Sequence, residues 1–453
     1  LTQNALKSDW LKDTREKISR WQILWRERVT ENPKYKWYRR AVYAVSTIYA
    51  CWLMVQSVPY YTAIGAGESA YKAGNYQTAE AQFKVALAES SNFSEKDPRR
   101  SKAMNNLAEL YRTQGRYKEA EGFYVSAVDL AQKLGSTREE YPLALNNLAN
   151  FYREAGRYDD SAKQYRSAIN IWETKVKKPA DVKYAVILTG FGKLARDQGN
   201  LIEAEKLYNQ ALKIKESALG KNDVEIAAVL DNLAGVYRDE ARYAESEQLY
   251  KRALLIDETA LGAEHPYVST DQNNLAGLYR ETGRYAEAEK LYQTALSSRI
   301  SALGANHPLV AKSLSGLAEL RRIDGKLNES EKLLDQARDI QIKALGVKHP
   351  DLATTYDLLG VLHLTMHDVK DAQADLAKSC EIRTTALAPV HPDLGISYMH
   401  MAELKQALND NKAALAYAVK SKGILLQALG PTHPNTKKVT ELCSQLSTEQ
   451  KAN

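Results

Sequence analysis

The chain has 453 residues, 26% of them charged and 44% hydrophobic, with 62 Lys and Arg against 56 Asp and Glu. Eleven of those cations and five of those anions fall in residues 1–40, so the rest of the chain is electrically neutral and offers no basic tract for nucleic acid. The three cysteines, Cys51, Cys380 and Cys443, lie in separate regions and make neither a disulfide framework nor a zinc site.

Residues 1–40 read as a basic amphipathic segment. Leu6, Trp10, Ile18, Trp21 and Trp25 alternate with Lys7, Arg15, Arg20 and Arg28, a pattern that suits a helix lying on anionic lipid and equally a helix docked on a partner protein. Residues 41–64 follow different rules: no charge occurs between Arg40 and Glu68, and Ala41 to Val58 is mostly apolar. Eighteen residues at the helical rise span about 27 Å, close to the thickness of a bilayer core. Trp37 and Tyr38 stand at one end, Tyr60 and Tyr61 at the other, with Pro59 after the span. These features predict one transmembrane helix; the alternative is a buried helix packed against the first repeat. The positive flank predicts a cytoplasmic N-terminus and an extracytoplasmic C-terminal region, periplasmic if the cell is a Gram-negative bacterium.

From residue 65 to 447 one block returns about every 42 residues, ahead of a short tail at 448–453. Its clearest copy is Asn273-Asn274-Leu275-Ala276-Gly277-Leu278-Tyr279-Arg280, then Gly283-Arg284-Tyr285 and Tyr292. It recurs from Asn105, Asn146, Asp231 and Ser315, and more weakly around Gly74, Gly199, His367 and Asn409. About nine copies in register predict stacked supersecondary units. Within one copy Leu107, Ala108 and Tyr111 share one helical face and Tyr117, Ala120, Tyr124 and Ala127 another, with Gly115 between them. That is a helical hairpin whose small residues mark a close crossing and whose glycine supplies the left-handed turn. The pattern resembles the tetratricopeptide repeat (TPR). Leu261-Gly262 with His265-Pro266, and the copies at Leu303, Leu345 and Leu429, resemble the kinesin-light-chain form of it, while the copies at Leu219 and Leu387 depart from that wording. The resemblance implies an all-α fold, a right-handed α-solenoid of about nine hairpins, and a scaffold that binds protein segments.

His265, His307, His349, His391 and His433 each precede a proline at a predicted helix start. A whole repeat separates neighbours, too far to share one ion. His363 and His367 are four apart, without a third ligand in a zinc spacing. We therefore expect no metal and no cofactor, and the absence of a phosphate loop, dinucleotide fingerprint or nucleophile elbow predicts no catalytic residues and no enzyme.

In the TPR family the ligand lies on the face lined by the first helix of each hairpin. The matching positions here are Asn105, Asn106, Asn146, Asn147, Asn232, Asn273 and Asn274, with a ladder of Arg112, Arg153, Arg196, Arg238, Arg280 and Arg322. A carboxamide can pair both sides of an extended backbone, and a guanidinium can fork onto carboxylates. The expected partner is a protein, in particular an extended acidic segment. The competing reading of these residues is a solvated helix face, with Glu154, Asp197, Asp239 and Glu281 neutralising the ladder. The expected function is thus a membrane-anchored interaction scaffold; the alternative is a permanent accessory subunit of a large membrane complex.

Overall fold

Alanine, serine and glycine at the crossing positions let two helices meet closely, and that contact builds every hairpin of the chain. The computed structural model describes residues 36–93, 97–135, 137–431 and 433–452, with side chains outside 36–43, 48–56 and 449–452. Among the described residues there are nineteen α-helices and no strand. They fall into two units, residues 1–71 with 76–95, and residues 72–75 with 96–453.

In the first unit, α1 (Lys36–Lys72) precedes α2 (Tyr76–Glu89). The helix runs beyond both ends of the predicted 41–64 and carries Pro59 inside its 37 residues. Here Gly67 lets the Phe83 ring approach so closely that a Cβ would lie 2.5 Å from it, and Tyr60 meets Phe93 edge-on at 6.0 Å. Among the described residues no helix is long and apolar enough to cross a membrane. Half of the side chains of the predicted span at 41–64 lie outside the described ones, as do all of those of the basic segment at 1–40.

The second unit contains eight hairpins. They are α3 (Arg99–Thr113) with α4 (Tyr117–Leu134), α5 (Glu140–Glu154) with α6 (Tyr158–Ile171), α7 (Val182–Asp197) with α8 (Leu201–Leu219), and α9 (Val224–Asp239) with α10 (Tyr243–Leu261). Next come α11 (Pro266–Glu281) with α12 (Tyr285–Leu303), α13 (Pro308–Ile323) with α14 (Leu327–Leu345), α15 (Pro350–Thr365) with α16 (Val369–Ala386), and α17 (Pro392–Ala407) with α18 (Asn411–Leu429). A final helix, α19 (Pro434–Ala452), covers the last hairpin.

The crossing residues Ala108, Ala120, Ala276 and Ala288 have no exposed surface. Where serine replaces alanine, its hydroxyl donates to the facing carbonyl: Ser246 to Ala234 and Ser330 to Ala318, both at 2.8 Å. Between the helices, Gly115, Gly156, Gly199, Gly283 and Gly325 adopt positive φ, and so do Ala241, His367 and Asn409 at the same turn. The arginine after this turn stacks on the tyrosine that closes the first helix, Arg284 on Tyr279 and Arg242 on Tyr237, both at 3.8 Å. It also reaches a glutamate in the first turn of the second helix, Glu287 or Glu245, so Gly-Arg-Tyr-x-Glu is a single turn device.

The loop histidines cap the helices that they precede. In each of His265, His307, His349, His391 and His433 the Nδ1 atom accepts the backbone N–H two residues on, at 3.1 to 3.2 Å. Where the sequence departs from that wording, Asp181 and Asp223 cap α7 and α9 with their carboxylates, and α16 ends on the extended residue Leu387 without a left-handed glycine.

Candidate partner-binding face

The first helices of consecutive hairpins approach one another more closely than the second helices do. The first helices therefore line the inner side of the curve, and the candidate arginines lie along it.

Each arginine of the ladder is engaged within the chain. Arg112 pairs with Glu109 and Glu154, Arg153 with Asp197 at 2.6 Å and Glu154 at 3.1 Å, and Arg196 with Asp239 at 2.6 Å. Arg238 lies 3.6 Å from Glu281, and Arg280 and Arg322 share Glu319 at 3.3 Å. Most rungs thus reach the acid that follows the next rung. Burial pulls Arg112 and Arg153 towards the neutral form, but the carboxylates outweigh it and hold both above the ordinary arginine value. Gly235 makes room for this: a Cβ there would lie 2.5 Å from the Arg196 guanidinium. The acids that the sequence offered as neutralising the ladder, Glu154, Asp197, Asp239 and Glu281, are the ones engaged. The ladder staples one repeat to the next, and its residual positive charge lies where Arg280 and Arg322 share one acid and at Lys193. Burial, then neighbouring Arg153, hold the Lys193 ammonium below its usual range.

The asparagine pairs divide by position. The first member faces the packing between repeats: Asn146 is 3% exposed, and Asn273, with its amide turned, accepts from Ser313 at 3.2 Å and from Arg299 at 3.1 Å. The second member is more open. Asn274 donates to Asp231 at 3.0 Å, Asn147 accepts from Asn146 at 3.3 Å, and Asn232 donates back to the Ala228 carbonyl at 2.6 Å. Among the described residues Asn105 Oδ1, Asn106 Nδ2 and Asn146 Oδ1 are buried without a hydrogen-bond partner.

A periodic polar position on the second helices went unnoticed in the sequence. Lys215, Asp257, Arg299, Gln341 and Arg383 are all buried. Lys215, Arg299 and Arg383 donate to carbonyls in the first turn of the next helix, those of Glu225, Leu309 and Asp393, at 2.9 to 3.0 Å, and Arg383 pairs with Asp357 as well. A polar residue every 42 positions amid apolar ones was the available signal. Asp257 breaks the rule: with Asp231 and Asp271 it places three carboxyls together. Burial, then the Asp231 charge, push Asp271 up to about 10, so it stays protonated at neutral pH. Among the described residues no group of three or more His, Cys, Asp or Glu is arranged to hold a metal ion.

His363 stands where other repeats carry tyrosine, and it spans three helices. Its Nδ1 lies 2.8 Å from Asp375 and its Nε2 3.2 Å from Glu331. Tyr279 and Tyr237 make the equivalent bonds to Glu247 and Glu205 at 2.9 Å.

An inner face of first helices, carried on hairpins closed by small residues and a left-handed turn, defines a helical-repeat solenoid. The Tetratricopeptide repeat model matches residues 61–133, 140–217, 225–301, 272–328 and 309–385, well over half of the chain, which therefore belongs to the tetratricopeptide repeat family. No curated protein matches it. Among solved structures, a Rap protein complexed with competence and sporulation factor aligns over 84% of this chain and 99% of its own, at 14% identity and a TM-score of 0.55. A putative kinesin light chain with nearly identical TPR-like repeats from Podosopora anserina covers 45% of this chain and 97% of its own, at 24% identity and a TM-score of 0.37. BtubC from P. vanneervenii covers 51% and 89%, at 21% identity and a TM-score of 0.40. At 14% identity the likeness to the Rap protein is one of fold alone.

Proposed function

We propose that the protein is a membrane-anchored scaffold whose inner helical face holds an extended segment of a partner protein. The observation that carries this reading is the second asparagine position on the first helices, where Asn106 Nδ2 is buried without a hydrogen-bond partner among the described residues. A buried polar group left unpaired costs about 1–3 kcal/mol, and the carbonyl of an extended backbone would accept from this amide. Carboxylates on the partner fit the residual positive charge at Lys193 and around Arg280 and Arg322. Anchoring rests on the uncharged run between Arg40 and Glu68, and orientation on the basic flank before it. In this reading the solenoid faces away from the cytoplasm.

The test is photo-crosslinking in the native membrane. A photoreactive residue replacing Lys193, on the inner face, should capture the partner; one replacing Ile202, 80% exposed at the start of a second helix, should not. Capture only at Ile202 would favour the permanent-subunit alternative, in which the contact uses the outer surface.

A further inference from the structure

Four of the loop histidines do more than cap: His307 lies beside Gly74 and His433 beside Gly199, both half-buried, and two more are buried outright. His349 and His391, only 7% and 8% exposed, sit against the turns of hairpins far back in the chain: His349 against Gly115 and His391 against Gly156. The first hairpin of the second unit thereby meets the seventh, and the second meets the eighth. A Cβ on Gly156 would lie 2.5 Å from the His391 ring, so glycine at this turn serves the approach as well as the backbone. Beside the ring, the Ala388 N–H donates to the Ala155 carbonyl at 3.2 Å, and Tyr158 packs against the core around Met399 and Ala402. The backbone of Thr113 lies near enough to His349, and that of Glu154 to His391, to favour the charged form of each ring slightly.

We propose that His349 and His391 form a pH-sensitive latch between successive turns of the solenoid, closed while both rings are neutral and released when they take up protons.

The geometry fixes the neutral form. Nδ1 of each ring accepts from the N–H of Asp351 or Asp393 at 3.1 Å, so the single proton belongs on Nε2. A second proton on Nδ1 removes the cap acceptor, leaves a first-turn N–H without its partner and places a cation in a buried seat. Charges around the seats pull both ways. Asp393 and Asp197 favour a charged His391 while Arg383 opposes it; Asp351 favours a charged His349 while Lys312 and Arg112 oppose it. Tyr117 and Tyr158, which face Asp351, Asp393 and Asp197 from the earlier turns, stay neutral throughout. Burial is the largest influence at both rings and sets the direction, below the ordinary histidine value. The latch is therefore intact above the unperturbed histidine pKa of about 6.5 and weakens as pH falls below it. The hairpins survive release, because their own cores lie at the alanine and serine crossings.

Small-angle X-ray scattering of the full chain from pH 8 to pH 5, with circular dichroism on the same samples, tests this. The maximum dimension should increase as pH falls below about 6.5, with helical content unchanged. His349→Asn combined with His391→Asn keeps a capping oxygen but no titratable ring, and should lack that step. Gly156→Asn, which tolerates positive φ but fills the seat of His391, should be extended already at pH 8. A constant dimension in the wild type, a step that persists in the double variant, or a step that follows loss of helix would overturn the proposal.

Discussion

At the scale of single residues, histidine shows how surroundings set the sign of a pH effect. Burial opposes a charge on His363, but Glu331 and Asp375 outweigh it and raise the ring above its ordinary value. A raised folded-state value contributes stability that is complete below the unfolded pKa of about 6.5 and is lost as pH rises through the folded value. Thermal melts should therefore show a loss of stability above neutrality that His363→Gln removes; an unchanged pH profile in that variant would contradict the assignment. His265 lies beside none of the described turn glycines and is only partly buried. His265→Asn should change stability by about 1 kcal/mol or less, since Asn also caps. At the turn between α9 and α10, Ala241 holds φ at 60° where most repeats have glycine. Relief of left-handed strain makes Ala241→Gly stabilising by up to about 1 kcal/mol, measured by denaturant midpoint, after the extra chain entropy of glycine is subtracted.

At the scale of elements, the hairpins were legible in the sequence because their residues act locally. Ala276 and Ala288 carry the helical spacing, and Gly283 announces the left-handed turn. Even His367 and Asn409, weak copies in the sequence, occupy that turn. The arginine ladder was legible as a row but not as a set of pairs, since the acid answering Arg196 is Asp239, one repeat on, and only the curvature brings them together. Position 257 was missed for a related reason: its meaning depends on Asp231 and Asp271, which belong to two different first helices. Two variants separate crossing from ladder. Ala276→Trp should cost about 1–3 kcal/mol or more, since the crossing has no room for the ring. Arg238→Glu with Arg280→Glu places carboxylates beside Glu281 and Glu319 and should lower the melting temperature, by an amount tempered by solvent screening of these partly exposed groups. An unchanged melting temperature would mean that the ladder pairs do not hold the repeats together.

At the scale of the whole molecule, a neutral helical-repeat body comes after a basic flank and an uncharged apolar run, and the charge asymmetry predicts how the chain is placed. A reporter enzyme fused after Asn453 should be active only outside the cytoplasm, and Leu53→Arg should hinder insertion by about 2.5–3.5 kcal/mol. A cytoplasmic signal from the C-terminal fusion would contradict the orientation. The contacts between turns were invisible in the sequence, because Gly115 and His349 each have a sufficient local role and nothing in either motif points to the other. The central claim, that the inner face binds a partner through its amides, is tested most directly by Asn106→Ala combined with Asn147→Ala and Asn232→Ala. With melting temperature and helical content close to wild type, this variant should lose, in moderate salt, the protein that co-purifies with the wild-type chain from its own membranes; full retention of that protein would contradict the account.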